Sequence, residues 1–303
     1  MDLRTLRAFV EVVRQGGFTQ AAKTVFATQS TVSKAVKQLE DEIGMPLLNR
    51  VGHEVTLTTA GDVVFQRALK MLAERDDLLG ELDELRDLKR GTLRLGLPPV
   101  SSGRVFAPYF AAYRRRHPLI EIRLTEHGAE RLQQLLLSGE IEMAAALLPI
   151  DDEAFERQDV RQDQLVVAVG GDSPLAQKAK VKLAELRDQP FILFNEGFAL
   201  SKIVLDQCRG LGFEPEVVAR SGQLDFIIEL VGAGVGVAFL PSVAVGAWPH
   251  PSVVYVPVDD PPVDYHTTMI WRAGGFLSHA ARAWLEVMRD MGEPAAPGYS
   301  ISD

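Results

Sequence analysis

Thr28-Gln29-Ser30-Thr31-Val32-Ser33-Lys34-Ala35-Val36-Lys37-Gln38-Leu39-Glu40-Asp41-Glu42-Ile43 is the stretch on which the reading of this chain turns. Val32, Val36, Leu39 and Ile43 recur at helical spacing and face inward, while Ser30, Ser33, Lys34 and Lys37 share the opposite face at i, i+3, i+4 and i+7. Thr28 is placed to cap the helix, and Gly44 and Pro46 end it. Hydroxyls, the Gln29 amide and two lysines crowd its first two turns, whereas Glu40, Asp41 and Glu42 are held at the far end.

Upstream, Leu3, Leu6, Val10 and Val13, then Ala21, Ala22 and Val25, carry the same apolar spacing and predict two further helices. Gly16-Gly17 separates them, with Thr19 as the expected N-cap of the second. Downstream, residues 47–51 and 55–58 read as two short strands around the turn Gly52-His53-Glu54. Helix, short helix, tight turn, polar-faced helix and two-stranded wing make a winged helix-turn-helix order. In that arrangement the third helix enters the major groove, and its first turns meet base edges and phosphates. On its own, a Ser/Lys face is equally what any solvated helix carries.

Length and composition bound the rest. At 303 residues, 47% hydrophobic and 24% charged, the chain can bury a substantial core and has room for about two domains. The single cysteine, Cys208, rules out a disulfide framework. Met1-Asp2-Leu3-Arg4 lacks the basic start and apolar run of a secretory signal, so a cytosolic protein is expected. The net charge of −9 argues against nucleic-acid binding by the chain as a whole, yet residues 1–58 hold seven basic against six acidic side chains. Residues 230–258 contain no charged side chain, but Gly232, Gly234, Gly236, Pro241, Gly246, Pro249 and Pro251 cut them too short for a membrane span.

Residues 58–89 contain no proline, and Phe65, Ala68, Leu72, Leu79 and Leu82 fall near a 3-4 spacing, which predicts a helix roughly 45 Å long. Two readings stand side by side: pairing with a second copy, or packing on its own domain. From Gly91 the pattern changes to strands at residues 92–97, 120–125, 143–148, 165–169, 191–194, 217–219, 237–240 and 268–271. Helices fit between several of these, and a helix over about residues 276–291 follows the last. The alternation predicts an open, mostly parallel α/β sheet, in which ligands sit beyond the carboxyl ends of the strands. Gly96-Leu97-Pro98-Pro99-Val100-Ser101-Ser102-Gly103 leaves the first strand and opens a helix, so Ser101 and Ser102 read equally as helix caps or ligand contacts. Glu126-His127-Gly128, Leu148-Pro149, Asn195-Glu196-Gly197-Phe198, Gly222-Gln223 and Gly236 stand in corresponding loops. An enzyme is not expected. Cys208 falls within a helix, histidines 53, 117, 127, 250, 266 and 279 lack metal-ligand spacing, and no nucleophile elbow, phosphate loop or HExxH pattern is present.

Leu6-Arg7-Ala8-Phe9-Val10, Gly17-Phe18-Thr19-Gln20-Ala21-Ala22, Thr28 to Lys34, Leu39 to Leu48, Arg50 and Leu57-Thr58-Thr59-Ala60-Gly61 together resemble the N-terminal signature of LysR-type transcriptional regulators over some sixty positions. Two departures stand out: Gly52-His53-Glu54 at the wing tip, where a basic residue is commoner, and Ser30 in place of a frequent proline. The resemblance implies a winged helix-turn-helix over residues 1–58 and a dimerising linker helix over 59–90. It also implies an α/β effector domain similar to type 2 periplasmic binding proteins, with subdomains of residues 91–161 plus 267–303 and 162–266. DNA contacts are expected from Thr19, Gln29, Ser30, Thr31, Ser33, Lys34, Lys37 and Arg50. Effector contacts are expected from Pro99, Ser101, Ser102, His127, Leu148, Asn195, Phe198, Gln223 and Phe239. The partners implied are double-stranded promoter DNA, further copies of the chain in a dimer or a tetramer built from two dimers, RNA polymerase and a small-molecule effector. No cofactor or metal is expected, and a small organic acid is the preferred effector class. The alternative is a cytosolic solute-binding module with no role on DNA.

Overall fold

The computed structural model describes residues 1–51, 54–84, 91–99, 102–245, 249–259 and 262–292, excluding the side chains of Arg50, Val51, Glu54, Glu81, Asp83, Glu84 and Ser102. The chain forms two compact units, one N-terminal and one α/β.

In the N-terminal unit, α1 (Leu3–Arg14), α2 (Phe18–Thr24) and α3 (Gln29–Ile43) precede a hairpin of β1 (Leu48–Val51) and β2 (Glu54–Leu57). Asp2 caps α1 by accepting from the backbone of Arg4 and Thr5, and the bond from Thr5 holds its carboxyl below the usual carboxylate range. Thr28 caps α3 as its sequence position predicts, accepting from the Thr31 amide at 3.2 Å. Thr19 does not cap α2. Gly17 holds that position without a side-chain bond, so the helix begins two residues earlier than the hydroxyl suggested. Leu6, Phe9, Val10, Ala21, Val32, Val36 and Leu39 close one core, although Leu3 lies on the exposed side. Each fully buried aliphatic side chain there contributes roughly 1.5–3 kcal/mol.

Helix α4 (Thr59–Glu84) leaves the hairpin and adds Ala68 and Leu69 to the same core, with Phe65 edge-on to Phe9 at 6.3 Å. Its start is tied by Thr58, whose hydroxyl donates to the Pro46 carbonyl at 2.8 Å and accepts from the Gly61 amide at 2.9 Å. Gly61 presses so closely on the hairpin that a Cβ there would stand 2.0 Å from the Leu47 carbonyl oxygen.

In the α/β unit the strands are β3 (Gly91–Leu97), β4 (Ile120–Glu126), β5 (Met143–Leu147), β6 (Phe155–Gly170), β7 (Val181–Lys182), β8 (Phe191–Phe194), β9 (Val217–Ser221), β10 (Ala238–Pro241), β11 (Val253–Asp259) and β12 (Asp264–Arg272). The helices between and after them are α5 (Ser102–Arg116), α6 (Ala129–Leu137), α7 (Ala199–Gly210), α8 (Leu224–Gly232) and α9 (His279–Met291). Among the described residues eight strands form one sheet in the order β4-β3-β5-β12-β6-β11-β7, with β10 also on β6, while β8 and β9 pair separately. The sheet is mixed and not mostly parallel. β3 runs parallel to β4 and β5, but β6 is antiparallel to β10, β11 and β12. Alternating β and α signals cannot reveal this, because β10, β11 and β12 return along β6 without a crossover helix between them. The sequence also hid β7, β11 and the first ten residues of β6, whose charged residues interrupt the apolar run.

Two hydrophobic cores flank the long strands. Leu93, Phe106, Tyr113, Met143, Val160, Met269 and Trp284 belong to one, and Val167, Phe191, Ile227, Phe239 and Tyr265 to the other. β6 therefore passes between cores after Val160, where a bulge opposite Thr267 and Thr268 leaves Val160 without a strand partner. Just beyond, the Asp163 carboxylate accepts from the Ser242 hydroxyl and from the Val243 amide at 2.9 Å, fastening the turn after β10 to β6. No described helix is long and apolar enough to cross a membrane.

Gly61→Ala is expected to destabilise the N-terminal unit by about 3 kcal/mol through overpacking against a backbone carbonyl. Chemical denaturation followed by circular dichroism checks this, and a loss below about 1 kcal/mol would mean that the hairpin yields.

Candidate nucleic-acid interface and ligand cleft

The inward residues of α3 spend their surface on the core, so the helix presents only its polar side. Gln29, Ser30, Thr31, Lys34 and Lys37 are exposed, Ser33 is half-buried, and Thr19 on α2 is exposed as well. The Thr28 hydroxyl lies 2.9 Å from that of Ser30 and 2.8 Å from that of Thr31, so the first turn is a cluster of orientable donors and acceptors. Neither Lys34 nor Lys37 forms an ion pair with any described residue, which leaves both ammonium groups available to phosphate.

The acids at the far end of α3 have their own work. Glu40 accepts from the amides of Leu47 and Leu48 at 2.8 and 3.2 Å, fixing the wing to the helix, and Glu42 binds the N-terminal ammonium. Sequence placed these acids away from the groove but gave no hint of the backbone amides they hold. The Arg50 side chain and residues 52–53 of the wing tip lie outside the described residues.

In the α/β unit, loops after several strands converge between the two cores. Pro98, Gly128, Ala129, Leu147, Phe198 and Tyr265 line a small apolar depression, with room for about 20 Å³, roughly one water molecule. The Ala129 amide, at the start of α6, donates to the Gly197 carbonyl at 3.2 Å, and a Cβ on Gly128 would stand 2.8 Å from that same oxygen. Phe198 stacks on Phe194 with 5.4 Å between ring centres, and the Asn195 amide donates to Ser221 at 3.1 Å.

The expected effector residues therefore divide. Phe198 lies on the depression, and Asn195 and Phe198 both approach Gly222. Leu148 is half-buried and tied through its amide to the His266 carbonyl at 3.1 Å. Pro99, His127 and Gln223 are exposed beside the converging loops. Ser101 and the Ser102 side chain are outside the described residues. Phe239 is not a wall residue. It is 2% exposed and packs on Phe191 at 5.2 Å in the core, because β10 turns that side chain toward the β8 side of the fold. Tyr265 also lines the depression although it is buried, a position the sequence does not reveal, since an aromatic in a strand-like run reads as ordinary core until β12 is seen to pass between the two cores.

Cys208 on α7 is buried, and burial pushes its thiol up to about 11. A buried thiol raised in this way stays protonated at neutral pH.

A winged helix-turn-helix whose lysines form no ion pair among the described residues, joined in one chain to an α/β unit with two cores, has the make-up of a DNA-binding regulator. The family model "Bacterial regulatory helix-turn-helix protein, lysR family" matches residues 3–62, and "LysR substrate binding domain" matches residues 86–293. The chain belongs to the LysR family of transcriptional regulators. It is 34% identical over 286 residues to an uncharacterized HTH-type transcriptional regulator, YwbI, of Bacillus subtilis (strain 168), covering 94% of this chain and 95% of that one. Among solved structures it is similar to a full-length OxyR variant from Pseudomonas aeruginosa, with a TM-score of 0.70, 23% identity and 99% of each chain covered. It is also similar to full-length CbnR complexed with its target DNA, with a TM-score of 0.63, 21% identity and coverage of 96% and 99%. A solute-binding module with no role on DNA is thereby set aside.

Lys34→Ala is expected to weaken binding across DNA sequences and to reduce the salt slope by about one. A fluorescence titration at several salt concentrations checks it, and an unchanged slope would remove Lys34 from the interface.

Proposed function

We propose that this chain regulates transcription in the bacterial cytoplasm as a ligand-responsive oligomer, its DNA affinity or geometry set by a small organic acid bound between the two cores of the α/β unit. The observation that carries this reading is the apolar depression at Pro98, Phe198 and Tyr265, where loops from both sides meet around Ala129 and Gly197. An apolar body suits that lining, and the Ala129 amide at the start of α6, once released from the Gly197 carbonyl, suits a carboxylate. Glu126 and Glu196 are exposed and need not face a bound anion. Because the space holds about one water, the acid must separate the two loops to enter, and its binding then favours an opened arrangement.

Pairing along α4 supports two-fold binding to pseudo-palindromic half-sites, and two such dimers would build a tetramer. Met71, Leu78 and Leu82 are exposed on that helix at i, i+7 and i+11, with Leu78 55% exposed. Arg50 on the wing, the cleft loops including Ser101 and Ser102, and a contact with RNA polymerase complete the proposal.

Isothermal titration against a metabolite panel is expected to find organic acids, and tight binding of cationic compounds alone would overturn that class. With a binding acid in hand, hydrogen exchange at the Ala129 amide is expected to speed up; greater protection on binding would mean that the loops close on the effector. Leu78→Glu with Leu82→Glu is expected to weaken self-association by at least about 100-fold, from roughly 1.5–3 kcal/mol per leucine contact. Sedimentation of a dimer unchanged by the double substitution would move the interface elsewhere.

A further inference from the structure

Phe26, in the turn between α2 and α3, is 98% exposed and has a positive φ of 54°, the left-handed region that L side chains avoid. The turn needs that conformation. The Phe26 amide donates to the Lys23 carbonyl at 3.3 Å and the Ala27 amide to the Ala22 carbonyl at 2.9 Å, the paired bonds that end a helix through one left-handed residue. Glycine or asparagine fills such a position without strain. Here a large aromatic side chain takes on the strain, and within the folded domain the ring receives almost no burial in return. Strain retained without a packing gain points to a role outside the fold.

The ring stands two residues before Thr28, whose hydroxyl joins those of Ser30 and Thr31 at the head of α3. When the first turns of α3 enter the major groove, the turn just before them meets the sugar-phosphate ridge bordering it. A bare phenyl ring cannot hydrogen-bond phosphate, but it can cover the apolar face of a deoxyribose. We propose that Phe26 packs on a deoxyribose of that ridge as α3 docks, adding affinity that is independent of both sequence and salt. This rests on the docking of α3 into DNA and adds to it a contact outside the recognition helix and the wing.

The test compares wild type, Phe26→Asn, Phe26→Gly, Phe26→Tyr and Lys34→Ala on a genomic fragment selected by the wild-type chain and on a random duplex of the same length. Asn and Gly keep the left-handed turn, so both variants fold, and the Asn variant melts no lower than wild type. Phe26→Asn and Phe26→Gly are expected to raise Kd about tenfold on both duplexes, the loss expected from part-burial of one ring. Their salt slope is expected to stay that of wild type, while Phe26→Tyr binds as wild type does. Kd values within about twofold of wild type for the Asn and Gly variants, a slope reduced as in Lys34→Ala, or a shift to monomer in sedimentation would each overturn the proposal. If Lys34→Ala also left binding and slope untouched, the docking of α3 itself would fail; if Lys34→Ala alone behaved as expected, only the role of Phe26 would.

Discussion

The burial of Val32, Val36 and Leu39 beneath α3 is the constraint on which the N-terminal unit depends. A helix has one set of apolar residues to spend, and once they are committed to Phe9, Leu6 and the α2 alanines the opposite face is fixed in azimuth. Serines, threonines and two lysines then stand outward by geometry, not by chance. Glu40 adds the second fixed point, since its carboxylate holds the Leu47 and Leu48 amides and so sets where the hairpin leaves the helix. A groove-reading surface must be rigid to within a fraction of an ångström, and buried contact supplies that rigidity more effectively than surface ion pairs do.

The α/β unit solves a different problem, which is to couple two cores through shared strands, with the apolar depression at Pro98, Phe198 and Tyr265 between them. β6 and β12 run through both, so neither half can shift without bending a shared strand. The bulge at Val160 and the Asp163 contacts to Ser242 and Val243 lie on this shared strand. On the other side of the division, the link from Ala129 to Gly197 is a single backbone hydrogen bond. Such a bond contributes only about 0.5–1.5 kcal/mol net, which is the scale the proposed effector would have to offset. Differential affinity for the two arrangements is all that regulation requires.

Much of this could be read in advance, for identifiable reasons. The three N-terminal helices are short, local and strongly periodic, and the Thr28 cap lies next to the residues it organises, so near-neighbour patterns suffice. The long strand β6 was half hidden, because the charged and polar residues between Glu156 and Gln164 carry no apolar run even though β12 pairs that half of the strand on either side of the bulge at Val160. Phe239 was misplaced for a related reason. Its position in a strand was evident, but which side of the strand faced the core depended on its partners β6 and Phe191. Thr19 shows the same limit at smaller scale: a hydroxyl near a helix start is a cap only if the backbone turns there.

Local periodicity and side-chain chemistry by themselves determined the helix-turn-helix order, the polar face of α3 and the α/β character of the remainder. The mixed direction of the sheet, the apolar depression around Tyr265, the contact between Gly128 and Gly197 and the bare ring of Phe26 were decided only by the tertiary fold. The physical reason is range. A helix face is set by residues three and four apart, whereas strand pairing, close backbone approach and exposure depend on residues distant in the chain that meet only after folding.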